Sequence, residues 1–389
     1  MKKSLILIII ISITNLYNAQ ITQNIRGSVI DKDSKTPLIG VNITLPDNEP
    51  IIGCASDING NYLLENIPVG RHTIRCSYVG YEPVVLQNIE LSSGKELILN
   101  IELIESLFLD EVVIEVKNEK KEAINKMATV SARTFSIEET MRYAGSLNDV
   151  SRMAQNFAGV QGSDDSRNDI VIRGNSPTGV LYRLEGVDIP NPNHFALMGT
   201  TGGPVSMLNN NLLDNSDFIT GAFPAEYGNS LAGVFDLHLR SGNNQHHEFL
   251  GQLGFNGVEF LAEGPISKDQ FSSYIVNARY STLKLFQLIG LDVGTGSATP
   301  EYQDVSFKLK FPNNNGKTVF WGIGGTSNVA FLESENEIGS NMFSEGGEDL
   351  IFESAIGILA MTNTYRFNDK SYLNTTLSID ATSNKIIND

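Results

Sequence analysis

The stretch Asp169–Phe195 reads DIVIRGNSPTGVLYRLEGVDIPNPNHF. Apolar and polar residues alternate, the chain turns on glycine and proline, and the alternation resumes. A period of two sends successive side chains to opposite faces, so the stretch predicts two strands joined by a tight turn. The whole chain is 41% hydrophobic and 19% charged, with 35 glycines, which suits strands and many turns better than helix bundles. It contains no paired catalytic carboxylates in a fixed frame, no metal-ligand spacing and no nucleophile elbow. The expectation is therefore a non-enzyme with no catalytic residue, no metal and no cofactor.

The amino terminus carries Lys2 and Lys3, then the short apolar run Leu5–Ile11, then polar residues up to Tyr17-Asn18-Ala19. This predicts a secretory signal peptide over 1–19, cleaved after Ala19. No cysteine near that point offers a lipoprotein signal. Past residue 19 no stretch reaches the roughly 18 apolar residues of a membrane helix, so any membrane span must be built from strands. The net charge of −17 argues against a nucleic-acid partner, which requires basic patches.

Residues 22–104 form a first unit. Turn signals at Asp31–Pro37, Pro46–Pro50, Asp57–Asn61, Pro68–Gly70, Val79–Pro83 and Ser92–Lys95 separate about seven short strands, an antiparallel sandwich in expectation. Asn59-Gly60 predicts a hairpin, since both residues tolerate positive φ. Cys54 and Cys76 fall on separate strands and read as two thiols, with a bridge as the alternative. The segments GSVIDKDSKTPLIGVNITL, SDINGNYLLENIPVGRHTIRCSYVGYEP and ILNIEL resemble a carboxypeptidase regulatory-like domain, a transthyretin-like β-sandwich. That resemblance carries no peptidase activity with it. A zinc carboxypeptidase needs a His-x-x-Glu pair and a distant histidine, and His72, His194, His238, His246 and His247 provide none.

Residues 105–127 change character: SLFLDEVVIEV is followed by the densely charged KNEKKEAINK. One reading is a last strand and a solvated linker. The other is a segment that adds as a strand to another protein's sheet edge, through its β-branched centre Val112, Val113 and Ile114 beside Asp110 and Glu111.

Residues 128–244 form a second unit. Ala128–Phe135 predicts a strand. Ser136–Glu139 is a capping box opening a short helix, and Ser146–Asp149 is another, opening a helix over Leu147–Phe157. Gly159 and Gly162 then break the chain. The phrases FAGVQGSDDSRNDIVIRGNSP, VLYRLEGVDIPNPNHF and AEYGNSLAGVFDLHLRSGN together resemble the plug domain of TonB-dependent outer-membrane receptors, in the family's order and spacing. The starch-utilisation branch of that family usually has aspartate at the position of Glu185 and an aliphatic residue at Arg183. The departure points away from a glycan ligand and towards a general receptor branch. With the plug resemblance in place, Asp110–Ile114 resembles a TonB box.

Residues 245–389 alternate again. Tyr274–Tyr280 and Val305–Phe311 place apolar residues on one face and polar residues, including Lys308 and Lys310, on the other; Leu373–Ile379 does the same. Membrane barrels carry this period, apolar towards lipid and polar towards the lumen. Phe271, Tyr274, Tyr280, Phe311, Trp321 and Phe367 near strand ends predict an aromatic girdle. At roughly ten residues per strand plus turns, six to eight strands fit, against about 22 in a plugged transporter barrel. The expectation is the start of a barrel in a truncated chain.

The fold expected is therefore mainly β: a transthyretin-like β-sandwich, an α+β plug domain, then the first strands of a transmembrane antiparallel β-barrel. The resemblance implies an outer-membrane receptor of a Gram-negative bacterium that binds an external ligand and imports it when TonB, engaged near Asp110, moves the plug. Outer-membrane lipid, a ligand of small or medium size and a surface lipoprotein are the further partners it suggests. Within the plug, Arg173, Arg183 and Arg240 call for carboxylate partners if desolvated. Glu185 is one such partner for Arg183, two residues away on the same strand face. Gly174, Gly186, Gly228 and Gly233 read as turns or close approaches. Asn191, Asn193, His194 and Phe195 lie in the stiff PNPNHF segment, which in the family leads to an apical loop facing the ligand. Asp164, Asp165 and Asp169 lack a calcium-loop register and read as a solvated acidic loop. A competing reading is a surface adhesion or scaffold protein of β-sandwich domains without a transport role; it predicts that residues 245–389 are soluble on their own.

Overall fold

The computed structural model describes residues 22–388 apart from 92, 94–95, 106–123, 126, 129, 197–198, 255–256, 268–270, 282–299, 314, 332–348 and 369–370. The expected signal peptide and the Asp110–Ile114 segment lie outside the described residues. The chain divides into two compact units near residue 117.

Among the described residues the first unit has eight strands: β1 (Thr22–Asp31), β2 (Asn42–Leu45), β3 (Ile52–Ala55), β4 (Asn61–Pro68), β5 (Gly70–Ser77), β6 (Val84–Leu91), β7 (Leu97–Ile98) and β8 (Ile101–Leu103). They make two sheets, ordered β4-β1-β7 with β8 also on β1, and β3-β2-β5-β6. The alternation turns Ile25, Val29, Ile43, Leu45, Leu64, Ile67 and Ile74 into one buried core. Burying a side chain of this size contributes about 1.5–3 kcal/mol.

Two expectations need correction in this unit. The sandwich is not wholly antiparallel, because β1 pairs parallel with β7 and β8. Asn59-Gly60 is a turn but not a hairpin: it joins β3 to β4, which belong to different sheets. Asp57 accepts from the Asn59 and Asn61 amides, and Gly60, at φ +76°, turns its carbonyl onto the Val29 N–H. Local turn chemistry was legible; the sheet that each strand joins depends on long-range pairing. Cys54 and Cys76 are not bridged, and both lie opposite Ile43, on either side of β2. Two strand spacings of about 4.8 Å separate their backbones, beyond the roughly 7 Å a disulfide spans.

The second unit begins with a small α+β domain. Its elements are β9 (Ala132–Phe135), α1 (Ile137–Arg142), α2 (Val150–Ala154), β10 (Val160–Gly162), β11 (Ile170–Ile172), β12 (Val180–Leu184), β13 (Val187–Ile189), β14 (Asn193–His194), β15 (Val205–Ser206), β16 (Ser216–Ile219) and β17 (Gly233–Leu237). The main sheet runs β13-β12-β17-β16-β9, with β12 and β17 parallel; β10–β11 and β14–β15 are separate pairs. The second helix starts later than its capping signal suggested. Asp149, not Ser146, caps it, accepting from the Ser151 and Arg152 amides, while Leu147 and Asn148 adopt left-handed backbone. The first strand is likewise shorter than Ala128–Phe135.

Among the described residues seven antiparallel strands follow in chain order: β18 (Glu248–Gly254), β19 (Gly257–Ser267), β20 (Ser272–Tyr280), β21 (Glu301–Asn313), β22 (Gly316–Phe331), β23 (Leu350–Asn368) and β24 (Ser371–Asn388). This wall has two unlike faces. Val305, Phe260, Leu359, Leu377 and Ile379 are exposed on one, a continuous apolar surface of the kind lipid covers. The opposite face turns Ile275, Asn277, Asp304, Ser306 and Lys308 inward, buried against the α+β domain. A single core joins the two, with Leu184, Leu213 and Leu237 packed in the same cluster as Leu261, Ile275, Ile323 and Ile358. Trp321 corrects the girdle expectation: it is 0% exposed and belongs to this inner core. A period of two separates the faces without saying which one meets lipid.

Candidate functional site

The inner face of the wall presents residues in rows, because strands paired in register set directly opposite residues side by side. One row is Arg279–Asp304–Gly325, the next Asn277–Ser306–Ile323, the third Ile275–Lys308–Trp321. Each meets polar groups of the α+β domain.

In the first row, Arg279 donates from Nε and Nη2 to the Asp304 carboxylate at 2.8–3.1 Å and from Nη2 to Ser206 O at 2.6 Å. His194 Nε2 lies 2.9 Å from Asp304 Oδ2. In the second, Asn209 donates to Asn277 Oδ1 at 3.3 Å, and Asn277 and Asn211 both donate to Glu259 Oε1 at 2.7 Å. In the third, Lys308 Nζ donates to Glu185 Oε1 at 3.0 Å and to the Leu239 carbonyl. Glu185 Oε1 also accepts from Leu239 N at 2.6 Å. Burial pushes the Glu185 carboxyl up, but Lys308, His238 and the Leu239 amide outweigh it and hold the group below its ordinary value. Beside this row Arg240 grips Glu263 with two parallel bonds of 2.7 and 2.6 Å.

The predicted residues fall into three groups. Arg240 has the expected carboxylate. Arg183 also has acidic neighbours, Glu226 at 3.3 Å and Asp188 at 3.9 Å, and lies over the Tyr227 ring. Glu185 is not among them, contrary to the expectation. Leu184 pairs with Val187, so Glu185 and Gly186 form a two-residue hairpin turn with φ of +51° and +81°. That primed turn swings Glu185 off the strand face and towards Lys308. Arg173 also departs from expectation. It sits in a second such turn with Gly174 and donates to the hydroxyls of Ser131 and Thr220, both at 3.2 Å. Its side chain is exposed to solvent, so no carboxylate is required.

Among the glycines, a Cβ on Gly233 would lie 2.3 Å from Ile172 Cδ1 and 3.2 Å from Ile219 O. Gly228 has open space around it and lies in a turn, so of the two readings the turn holds there and the close approach does not. The PNPNHF segment is a further correction. Asn193, His194 and Phe195 are buried instead of facing a ligand: the wall supplies the partners of His194 and Phe195, and the plug itself those of Asn193. Phe195 N donates to Ser327 Oγ at 3.0 Å, and Asn193 accepts from the buried Asn168 amide at 2.7 Å. Asn191 is tied to the carbonyls of Thr200 and Gly202.

Sequence reasoning missed Asp217. Its fully buried carboxylate accepts from the backbone amides of Ile124 and Asn125, at 2.9 and 2.8 Å, and from Thr134 Oγ1. Asn125 Nδ2 adds bonds to Glu226 and Tyr227, both at 2.7 Å. Three donors on one carboxylate fix the point where the chain enters the domain. Asp304, Arg279 and Glu263 were missed as well. Their only signal was polarity on the inward positions of alternating strands.

Among the described residues no group of three or more His, Cys, Asp or Glu side chains is placed to hold a metal. Residues 25–114 match the family model described as a CarboxypepD_reg-like domain, and residues 125–234 match the TonB-dependent receptor plug domain. The TonB-dependent transporter Oar of Myxococcus xanthus is 25% identical over 233 residues, covering 58% of this chain and 21% of that protein. The chain thus spans about a fifth of the length of that curated relative. Among solved structures, the siderophore receptor PirA of Acinetobacter baumannii is similar at 16% identity and a TM-score of 0.44, over 66% of this chain and 40% of that one. The outer membrane transporter YddB of Escherichia coli is similar at 14% identity and a TM-score of 0.41, over 64% and 38%. The two family matches make residues 25–114 a CarboxypepD_reg-like domain and residues 125–234 the plug domain of a TonB-dependent receptor.

Proposed function

We propose that the protein acts in the outer membrane as a receptor that binds an external ligand and admits it when TonB displaces the plug from the wall, with no chemistry on the ligand. The observation that carries this reading is the composition of the plug–wall contact. Beside its shared apolar core, that contact is laced with Glu185–Lys308, Arg240–Glu263 and His194–Asp304, and with the bond from Arg279 to the Ser206 carbonyl. Charged and amide groups regain hydrogen bonds when water enters, whereas a wholly apolar seam would oppose separation over its entire area. A polar seam is therefore one along which two bodies can part and rejoin.

TonB engages the chain by strand addition at Asp110–Ile114, and Asp217 passes the pull on to the plug. The test is binding of the purified chain to the periplasmic domain of TonB. Val113→Pro removes a backbone donor from the added strand and fixes its φ. Binding is expected for the unaltered chain and lost in Val113→Pro. Equal binding by both would overturn the strand-addition reading.

A further inference from the structure

The short antiparallel pair β14–β15 sets Asn193 opposite Ser206 and His194 opposite Val205, and it lies on wall strands β20–β22. Three hydrogen bonds and a ring contact fasten it there, beside the apolar packing of Phe195 and Val205 with Tyr302, Val329 and Phe352. His194 Nε2 meets Asp304 Oδ2 at 2.9 Å, and Arg279 Nη2 donates to Ser206 O at 2.6 Å. Phe195 N donates to Ser327 Oγ at 3.0 Å, and the His194 ring lies 4.5 Å from that of Tyr302. The His194 and Asp304 side chains are both 0% exposed. The second imidazole nitrogen, Nδ1, is buried and has no hydrogen-bond partner among the described residues.

This arrangement accepts a neutral imidazole and rejects a charged one. Neutral His194 donates from Nε2 to Asp304. Protonation would add a second cation to a site whose one carboxylate already serves Arg279, and would bury an N–H aimed at no acceptor. The charged and titratable groups facing His194 are Arg279 from β20, and Asp304 and Tyr302 from β21; β22 and β23 bring Gly325, Ser327 and Ser354, all neutral. Glu259 of β19 is engaged by the Asn211 and Asn277 amides. Burial, with help from Arg279 and against the pull of Asp304, holds His194 below its ordinary value of 6.5.

We propose that the β14–β15 hairpin is fastened to the wall by a latch that a proton on His194 opens, so that acid frees the plug where it meets β21. A released hairpin returns His194 to water and to its ordinary value. The fastened state is therefore at full strength above about pH 6.5 and weakens as pH falls below it, through the docked value. One proton limits the change to about tenfold per pH unit, and to about thirtyfold between pH 7.5 and 5.0.

The test is hydrogen exchange of the purified full chain in detergent, followed in peptides containing His194 and Val205 and corrected for the intrinsic pH dependence of exchange. Opening is expected to rise from pH 7.5 to 5.0, by at most about thirtyfold. His194→Gln keeps an N–H for Asp304 and takes no proton, so its opening should not change with pH. His238→Gln should keep the full rise. No pH response in the unaltered chain, or an equal response in His194→Gln, overturns the latch. A direct titration of the His194 imidazole by NMR in the unaltered chain is independent of how the variants fold: a value at or above 6.5 also overturns it. Neither TonB nor cargo takes part, so a negative result leaves the transport reading standing.

Discussion

Lys308 and Glu185 lie 123 residues apart in sequence and meet at 3.0 Å across the boundary between wall and plug. One comes from the inward face of a strand, the other from a turn whose left-handed backbone aims it there. Because Lys308 also holds the Leu239 carbonyl and Glu185 the Leu239 amide, the pair clamps the chain just before it passes into the first wall strand.

Lys308→Met keeps the aliphatic stem and removes the charge, leaving a buried carboxylate without its cation. Stability at pH 7 should fall by about 3–5 kcal/mol, read from denaturant titration, and adding Glu185→Gln should restore most of it. The Glu185 carboxyl is held below its ordinary 4.5, so the pair's contribution is complete above that pH and is lost as pH falls through the folded value. The gap between unaltered chain and variant should therefore be widest near neutrality and narrow below pH 4.5. A gap that stays constant with pH would exclude ionised Glu185 as the partner.

Asp217→Asn replaces an acceptor of three hydrogen bonds with a group that brings its own N–H donors among those same amides. Losing the charge-assisted bonds should destabilise the entry segment by about 1–3 kcal/mol. Exchange protection should drop in residues 124–135 and stay unchanged in β12 and β17. Loss spread evenly over the whole domain would mean that Asp217 supports the fold generally and not this entry point.

Leu359 is 55% exposed at the middle of β23, on the apolar face of the wall. Leu359→Lys should cost about 2–4 kcal/mol if that face meets the bilayer midplane, and should reduce recovery in the detergent-extracted membrane fraction. A polar change on the other face at the rim should have little effect. Undiminished membrane recovery of Leu359→Lys would place that face in water.

Strand alternation carried the wall almost unaided. Tyr274–Tyr280 and Val305–Phe311 divide into the two faces observed because the side-chain period of a strand is two wherever it lies. What alternation could not supply was the identity of the faces, which is why Trp321 read as a lipid anchor and packs instead in the inner core. The site was less legible. His194–Asp304 and Glu185–Lys308 join residues more than a hundred positions apart, and no local pattern encodes such pairs. Helix capping misled for a local reason: Ser146 and Asp149 both offer side-chain oxygens, and the buried Asp149, also bonded to Asn168, captured the amides. The PNPNHF segment was recognisable as stiff, but the burial of His194 and Phe195 depends on wall strands that follow them by more than seventy residues.

Among the described residues β9 stands last in the five-stranded sheet and pairs there with β16 alone, through four residues. An outermost slat with one neighbour can be drawn away while the remaining four keep their bonds and their register. The plug need not come apart to make room. Subtracting its first strand would shorten the sheet at one side, and returning that strand would re-pair four residues and bury Phe135 again.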